Sequence, residues 1–139
     1  MNMKLGWALL FAFVLVGSSV VRADDSKVEA AMAVDKDTKP TDTFTADTPK
    51  LYAFFRSKGT SKGDKFRGVL VADDVGSAAP ANTKVVEASQ EADQDDYYGA
   101  FEFDKPTSGW PVGKYHVDIY VGDDLMTTVK FTIEAAAAQ

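Results

Sequence analysis

The side chains able to do chemistry are few, and their identities exclude more than they allow. His116 is the only histidine and there is no cysteine. A single imidazole could act as a general base or bind a metal ion, with Asp118 two residues along the same strand face as its partner. One histidine cannot build a histidine-rich metal site, and without cysteine there is no thiolate ligand or thiol nucleophile. No Gly-x-Ser-x-Gly turn is present to raise a serine nucleophile. The expectation is a chain without catalytic residues and without a cofactor, with His116 a solvated strand residue.

Carboxylates are plentiful: Asp35 with Asp37, Asp73 with Asp74, Asp93 with Asp95 and Asp96, and Asp123 with Asp124. Paired acids could flank a glycosidic bond, but these fall in turns, where Asp serves the backbone. Calcium is the better functional use of such oxygens. Asp93, Asp95 and Asp96 are the best candidates, although no D-x-D-x-D-G loop with a later Glu occurs. A copper site would need thioether or imidazole ligands. Beyond the N-terminal segment only Met32, Met126 and His116 supply them, and strand alternation puts Met126 on the outward face with His116. Tyr52, Tyr98, Trp110 and Tyr120 are aromatic side chains that could face outward. Tyr98, Trp110 and Tyr120 are the candidate partner surface, the alternative for Trp110 being packing at the sandwich edge beside Tyr115. Lys58, Lys62, Lys65 and Arg67 gather around one loop as a basic patch, read as a solvated loop or a contact for an acidic partner.

These residues need strands to position them, and the strands centre on Trp110–Ile133. Tyr115, Val117, Ile119 and Val121 alternate with His116, Asp118 and Tyr120, the period-two pattern of a strand with one buried face. Gly122, Asp123 and Asp124 form a tight loop. Leu125, Thr127, Val129, Phe131 and Ile133 then alternate with Met126, Thr128, Lys130 and Thr132. Strands joined this closely pair antiparallel, and their shared apolar face demands a second sheet. Two glycines and Pro111 precede Tyr115, the setting of a tyrosine corner at the start of strand F in an immunoglobulin-like sandwich; a plain core tyrosine is the other reading.

Upstream, Val28–Val34 reads as a strand or a short helical turn, and Phe44–Ala46 as a short edge strand. Leu51–Arg56 is β-prone but apolar on both faces, so its inward side is open. Phe66–Ala72, Lys84–Ala88 and Tyr97–Phe103 complete about seven strands, with turn signals every 8–12 residues. The profile predicts an all-β fold, an immunoglobulin-like antiparallel β-sandwich, with a closed barrel as the alternative. The Cys…Trp…Cys centre of true immunoglobulin domains is absent.

Met1–Ala23 has an early Lys4, an apolar run from Leu5 to Val16 and small residues before Asp24, the layout of a secretory signal. The run is short for a membrane span. The segments expected are therefore a signal peptide at 1–23, an N-terminal strand and linker at 24–43, the sandwich at 44–134 and a disordered tail at 135–139. Cleavage removes Lys4 and Arg22 but no acid, taking the net charge from −6 to −8. So acidic a chain is a poor nucleic-acid binder and a poor fit to anionic lipid. With no disulfide, the core alone must hold the fold, which about 100 ordered residues can manage.

Gly63–Gly76 (GDKFRGVLVADDVG), Ala79–Lys84 (APANTK), Lys105–Tyr115 (KPTSGWPVGKY) and the GDDLMTTVKFTI hairpin resemble a group of small exported bacterial proteins with an immunoglobulin-like domain, largely uncharacterised. The likeness covers most of Lys50–Glu134. It implies fold and a periplasmic or secreted location, and it carries no catalytic residue over. The expected function is a non-enzymatic binding or accessory module of the cell envelope with an unknown protein or glycan partner, as monomer or weak oligomer. A calcium-stabilised adhesion or matrix domain is the alternative.

Overall fold

A computed structural model describes residues 26–35 and 39–136. The expected signal peptide at 1–23, the middle of the linker and the last residues of the tail lie outside the described residues. Among the described residues eight strands form: β1 (Lys27–Ala33), β2 (Thr43–Thr45), β3 (Lys50–Lys58), β4 (Lys65–Asp74), β5 (Thr83–Glu91), β6 (Tyr98–Asp104), β7 (Gly113–Val121) and β8 (Asp124–Glu134), with one 3₁₀ turn at Gly76–Ala78. They make two sheets, three-stranded in the order β1-β3-β6 and five-stranded in the order β2-β8-β7-β4-β5. All pairings are antiparallel except β2 with β8, which is parallel. The sheets stack face to face as a sandwich, and neither closes into a barrel.

Of the two readings for Val28–Val34, strand is the correct one. β1 pairs along its whole length with β3, so the sandwich reaches back to Lys27 rather than starting at residue 44. The ambiguous β3 resolves by alternation. Leu51, Ala53, Phe55 and Ser57 face the other sheet and are buried, while Tyr52, Phe54 and Arg56 face outward.

The core is aromatic and crosses both sheets. Phe55 stacks on Phe101 and Phe66 with ring centroids 5.0 and 5.2 Å apart. At the other end Tyr115 stacks on Phe131 at 5.3 Å, and Phe44 meets Phe131 edge-on at 5.5 Å. Gly68 makes the stack possible. A Cβ built there would lie 2.7 Å from the Phe101 ring, so β4 offers a bare patch of backbone on which Phe101 rests. Gly113 has a φ of 153°, and any Cβ on it would run into the Asp74 carbonyl. That close approach sits where the β4–β7 register shifts between Ala72 and Asp74.

The hairpin departs from simple alternation at one point. The β7–β8 register slips between Ile119 and Tyr120, so Ile119 faces Thr127 but Tyr120 faces Leu125. A bulge of this kind puts one extra residue on a strand and swaps the faces beyond it. Leu125, expected inside, is 53% exposed. Met126, expected outside with His116, packs against the core, so the pair proposed as copper ligands face opposite ways.

Open edges are managed individually. The Gln90 side chain reaches from β5 and donates through Nε2 to the Ala100 carbonyl of β6 at 2.5 Å, and its Oε1 accepts from Tyr97 Oη at 2.6 Å. The β4–β5 register shifts at Leu70/Val71, opposite Val86 and Lys84. Val85 is therefore an extra residue in the edge strand, which interrupts it as a template for further pairing.

Candidate functional site

The single histidine gains a partner that its neighbourhood in sequence does not reveal. Pairing of β4 with β7 sets Val71 opposite His116, and Asp73 follows on the same outer face. Asp73 Oδ1 lies 2.6 Å from His116 Nδ1, and Asp118 Oδ2 lies 3.2 Å from Nε2. Thr128 Oγ1 donates to Asp118 Oδ1 at 2.7 Å, and Lys130 sits across the ladder from His116. A nucleophilic relay needs a hydroxyl or thiol on the imidazole. Here both ring nitrogens face carboxylates, and the only hydroxyl in the chain of contacts is bonded to Asp118. The cluster joins three strands of the outer sheet face.

The acidic loop works as a brace. Asp96 Oδ1 accepts from the Gly59 amide at 2.8 Å, and Asp95 Oδ1 accepts from the Lys62 amide at 2.9 Å. Asp96 itself adopts a φ of 52°, in the left-handed region, which Asp tolerates better than most residues. These bonds tie the β5–β6 loop to the β3–β4 loop. Asp93 acts at a distance: Tyr97's phenol is raised above its usual value first by burial, then by the Asp93 charge. Among the described residues no group of three or more His, Asp or Glu side chains is arranged to hold a metal ion.

The three aromatic residues expected at a partner surface part company. Trp110 is 3% exposed, and its Nε1 donates to the Thr48 carbonyl at 2.9 Å. It closes the end of the sandwich, so as a surface anchor it is withdrawn. Two glycines and a proline around Trp110 gave no sign of which way the ring would turn. Tyr120 lies on the outer face of the five-stranded sheet with the Arg67 guanidinium 4.3 Å above its ring. That contact accounts for the Arg67 part of the basic patch, which also faces Glu87 at 3.8 Å. Tyr98 is 66% exposed and stands at the mouth of a surface concavity.

That concavity is an open groove of about 920 Å³ on the outer face of the three-stranded sheet. Its floor is Ala31, Phe54, Gly99 and Ala100, and Pro40 lies at its border. Register explains the shape. Ala31, Phe54 and Ala100 lie in one row across β1, β3 and β6, so small side chains flank one large ring. Tyr52 continues the aromatic surface, its ring 5.8 Å from that of Phe54 and inclined by 13°. The next row toward Tyr98 holds Glu29 and Arg56, with Arg56 Nη2 2.7 Å from Glu29 Oε1. The row on the other side holds Glu102, whose Oε1 is 3.0 Å from Lys50 Nζ. The Lys50 ammonium is held above its usual value by its hydrogen bond to Glu102, then by the charges of Glu102 and Asp104. Arg56 and Lys50 are thus ion-paired, while Asp96, which also lines the groove, gives its Oδ1 to the Gly59 amide. Sequence reasoning singled out Tyr98 here but missed Phe54 and the alanines, because the inward face of β3 was undecided.

The class these features define is the immunoglobulin-like β-sandwich. No protein-family model and no curated protein matches the chain. Among solved structures, an immunoglobulin-like protein from Pseudomonas aeruginosa aligns with a TM-score of 0.50 at 12% identity, over 79% of this chain and 97% of that one. The alkylpurine DNA glycosylase AlkC of Pseudomonas fluorescens aligns at 0.49 and 13% identity, over 80% of this chain and 31% of that one. A β-glucosidase from Listeria innocua aligns at 0.48 and 9% identity, over 81% of this chain and 17% of that one. The chain thus spans under a third of either enzyme but nearly all of the immunoglobulin-like protein. At these identities the likeness is one of fold. Among the described residues no helix is long and apolar enough to cross a membrane.

Proposed function

We propose that this chain is an exported, non-enzymatic binding or accessory module of the cell envelope, and that it works through the outer face of its three-stranded sheet. The observation that carries the reading is the groove of about 920 Å³ with an apolar floor and a charged rim. Concave apolar surfaces with a few placed polar groups are where proteins take ligands. The opposite sheet face is less suited: its charged side chains already serve one another through Arg67, Glu87, Asp73, His116 and Asp118. Export is supported by the layout of Met1–Ala23.

The test compares envelope components retained by the immobilised protein with those retained by Tyr98→Ala, on the groove, and Tyr120→Ala, on the other face. A component kept by the wild type and Tyr120→Ala but lost by Tyr98→Ala supports the reading. Retention that is equal for all three, or sensitive only to Tyr120→Ala, removes the groove as the working surface.

A further inference from the structure

Resting on that reading, we infer that the groove takes a cationic peptide segment of a partner protein, with basic side chains at its two ends and apolar ones between. Charge selects this occupant.

Four charged residues line the groove, Glu29, Asp96 and Glu102 against Arg56. Arg56 is spent on one of them: its Nε lies 2.8 Å and its Nη2 2.7 Å from Glu29 Oε1. That pair is neutral. Asp96 accepts from the Gly59 amide, and among the described residues no lysine or arginine forms an ion pair with it. Glu102 meets Lys50 at 3.0 Å, but Asp104 draws on the same ammonium at 3.5 Å. Two carboxylates there share one cation. The lining thus leaves negative charge over at both ends, on a chain whose net charge is −6. A cation gains at either end and an anion at neither.

The sheet sets the two ends apart. Tyr98 and Glu102 are separated by about 13 Å at the rise of a strand, and Asp96 precedes Tyr98. Between the ends runs the uncharged row of Ala31, Phe54 and Ala100. A lone cation reaches one end and leaves that row uncovered. A polypeptide carries cations and apolar side chains on one backbone. In extended form, basic residues about four to six positions apart match the separation. The segment stops at Asp96, because Lys27 and Lys58 face each other one row beyond Glu29 and Arg56 and repel a basic chain that runs on.

The experiment uses protein recovered from the envelope or medium of expressing cells. It is titrated at low salt, by calorimetry and amide NMR, with end-blocked synthetic peptides. One carries two lysines about five positions apart with valine and leucine between them. A second has glutamates in place of the lysines, and a third has serines in place of the apolar residues. The expected result is saturable binding of the lysine peptide below about 1 mM, tighter than either of the others, with shifts centred on Ala31, Phe54, Asp96 and Ala100. Asp96→Asn keeps an oxygen for the Gly59 amide and removes only the charge. That change and Glu102→Gln should each weaken binding by about two- to fivefold. Arg56→Gln releases Glu29 and should tighten binding by a similar factor, a direction that loss of structure would not give. These differences should fade in high salt. Equal or tighter binding of the glutamate or serine peptide, indifference to Asp96→Asn and Arg56→Gln, or no binding up to on the order of 1 mM overturns the inference. If the lysine peptide fails while an envelope component is still retained through Tyr98, the cationic-peptide inference falls and the binding-module reading stands. If it binds with shifts centred on Tyr120, or if neither it nor any envelope component depends on the groove, both fall.

Discussion

Tyr115 is the residue where packing, hydrogen bonding and titration meet. Its ring is buried against Phe131, and its hydroxyl donates to the Pro111 carbonyl four residues upstream at 2.5 Å. That settles the two readings of Gly-x-Tyr in favour of the tyrosine corner. Replacing it with Phe keeps the stack but leaves the carbonyl without its donor, a loss of about 1–2 kcal/mol at neutral pH, measurable by denaturant unfolding. Burial also pushes the Tyr115 phenol up to about 12. The unfolded phenol ionises near 10. Between these values the unfolded chain has released a proton that the folded chain keeps, so stability falls as pH rises. The contribution is fully present below about pH 10 and is lost on the order of 2 kcal/mol by pH 12. Tyr97, also raised by burial and by Asp93, adds to the same fall. In Tyr115→Phe the alkaline decline should therefore become shallower without disappearing; an unchanged decline would place the responsible group elsewhere.

At the scale of strands, Gly68 of β4 lies beneath Phe101 of β6 with no room for a side chain between them. Gly68→Ala puts a methyl 2.7 Å from a ring that already stacks on Phe55, so one of them must shift. Overpacking of this kind typically costs about 1–3 kcal/mol. That exceeds the gain of under about 1 kcal/mol from stiffening the unfolded chain, so the net effect is destabilising. A melting temperature at or above wild type would show that Phe101 has room the structure does not give it. The same scale shows what can be read from the chain. Alternation in β7 placed Tyr115, Val117, Ile119 and Val121 inside correctly, because one face is apolar and the other polar. In β3, with apolar residues on both faces, alternation was silent about which was inward, and the groove floor went unseen with it. In β8 alternation held at Phe131 and Ile133 but failed at Leu125 and Met126. The bulge at Ile119/Tyr120 depends on how two strands mate, and no residue in the loop marks it. Asp73 and His116 are 43 residues apart, and only the register between β4 and β7 joins them.

For the whole molecule the question is what holds eight strands together without a crosslink. Two answers compete: the aromatic core alone, or the core helped by calcium on the acidic loop. Asp95 and Asp96 decide between them. Each already gives an oxygen to a backbone amide, of Lys62 and Gly59 respectively. Calcium wants six to eight oxygens at one point, and among the described residues no third acidic or imidazole side chain converges with these two. An extracellular-type site with a dissociation constant near 0.1 mM would stabilise the fold by about 2.7 kcal/mol at a hundredfold excess of calcium. For a domain of this size that is a rise in melting temperature on the order of 10 °C, well above measurement error. The expectation from the braced loop is no such rise: thermal melts in millimolar calcium and in excess chelator should coincide within about 1 °C, since nonspecific screening of exposed acids contributes little. A rise of several degrees, abolished by Asp95→Asn, would mean that the loop rearranges to bind the ion. The calcium-stabilised adhesion domain would then replace a sandwich held by its aromatic core alone.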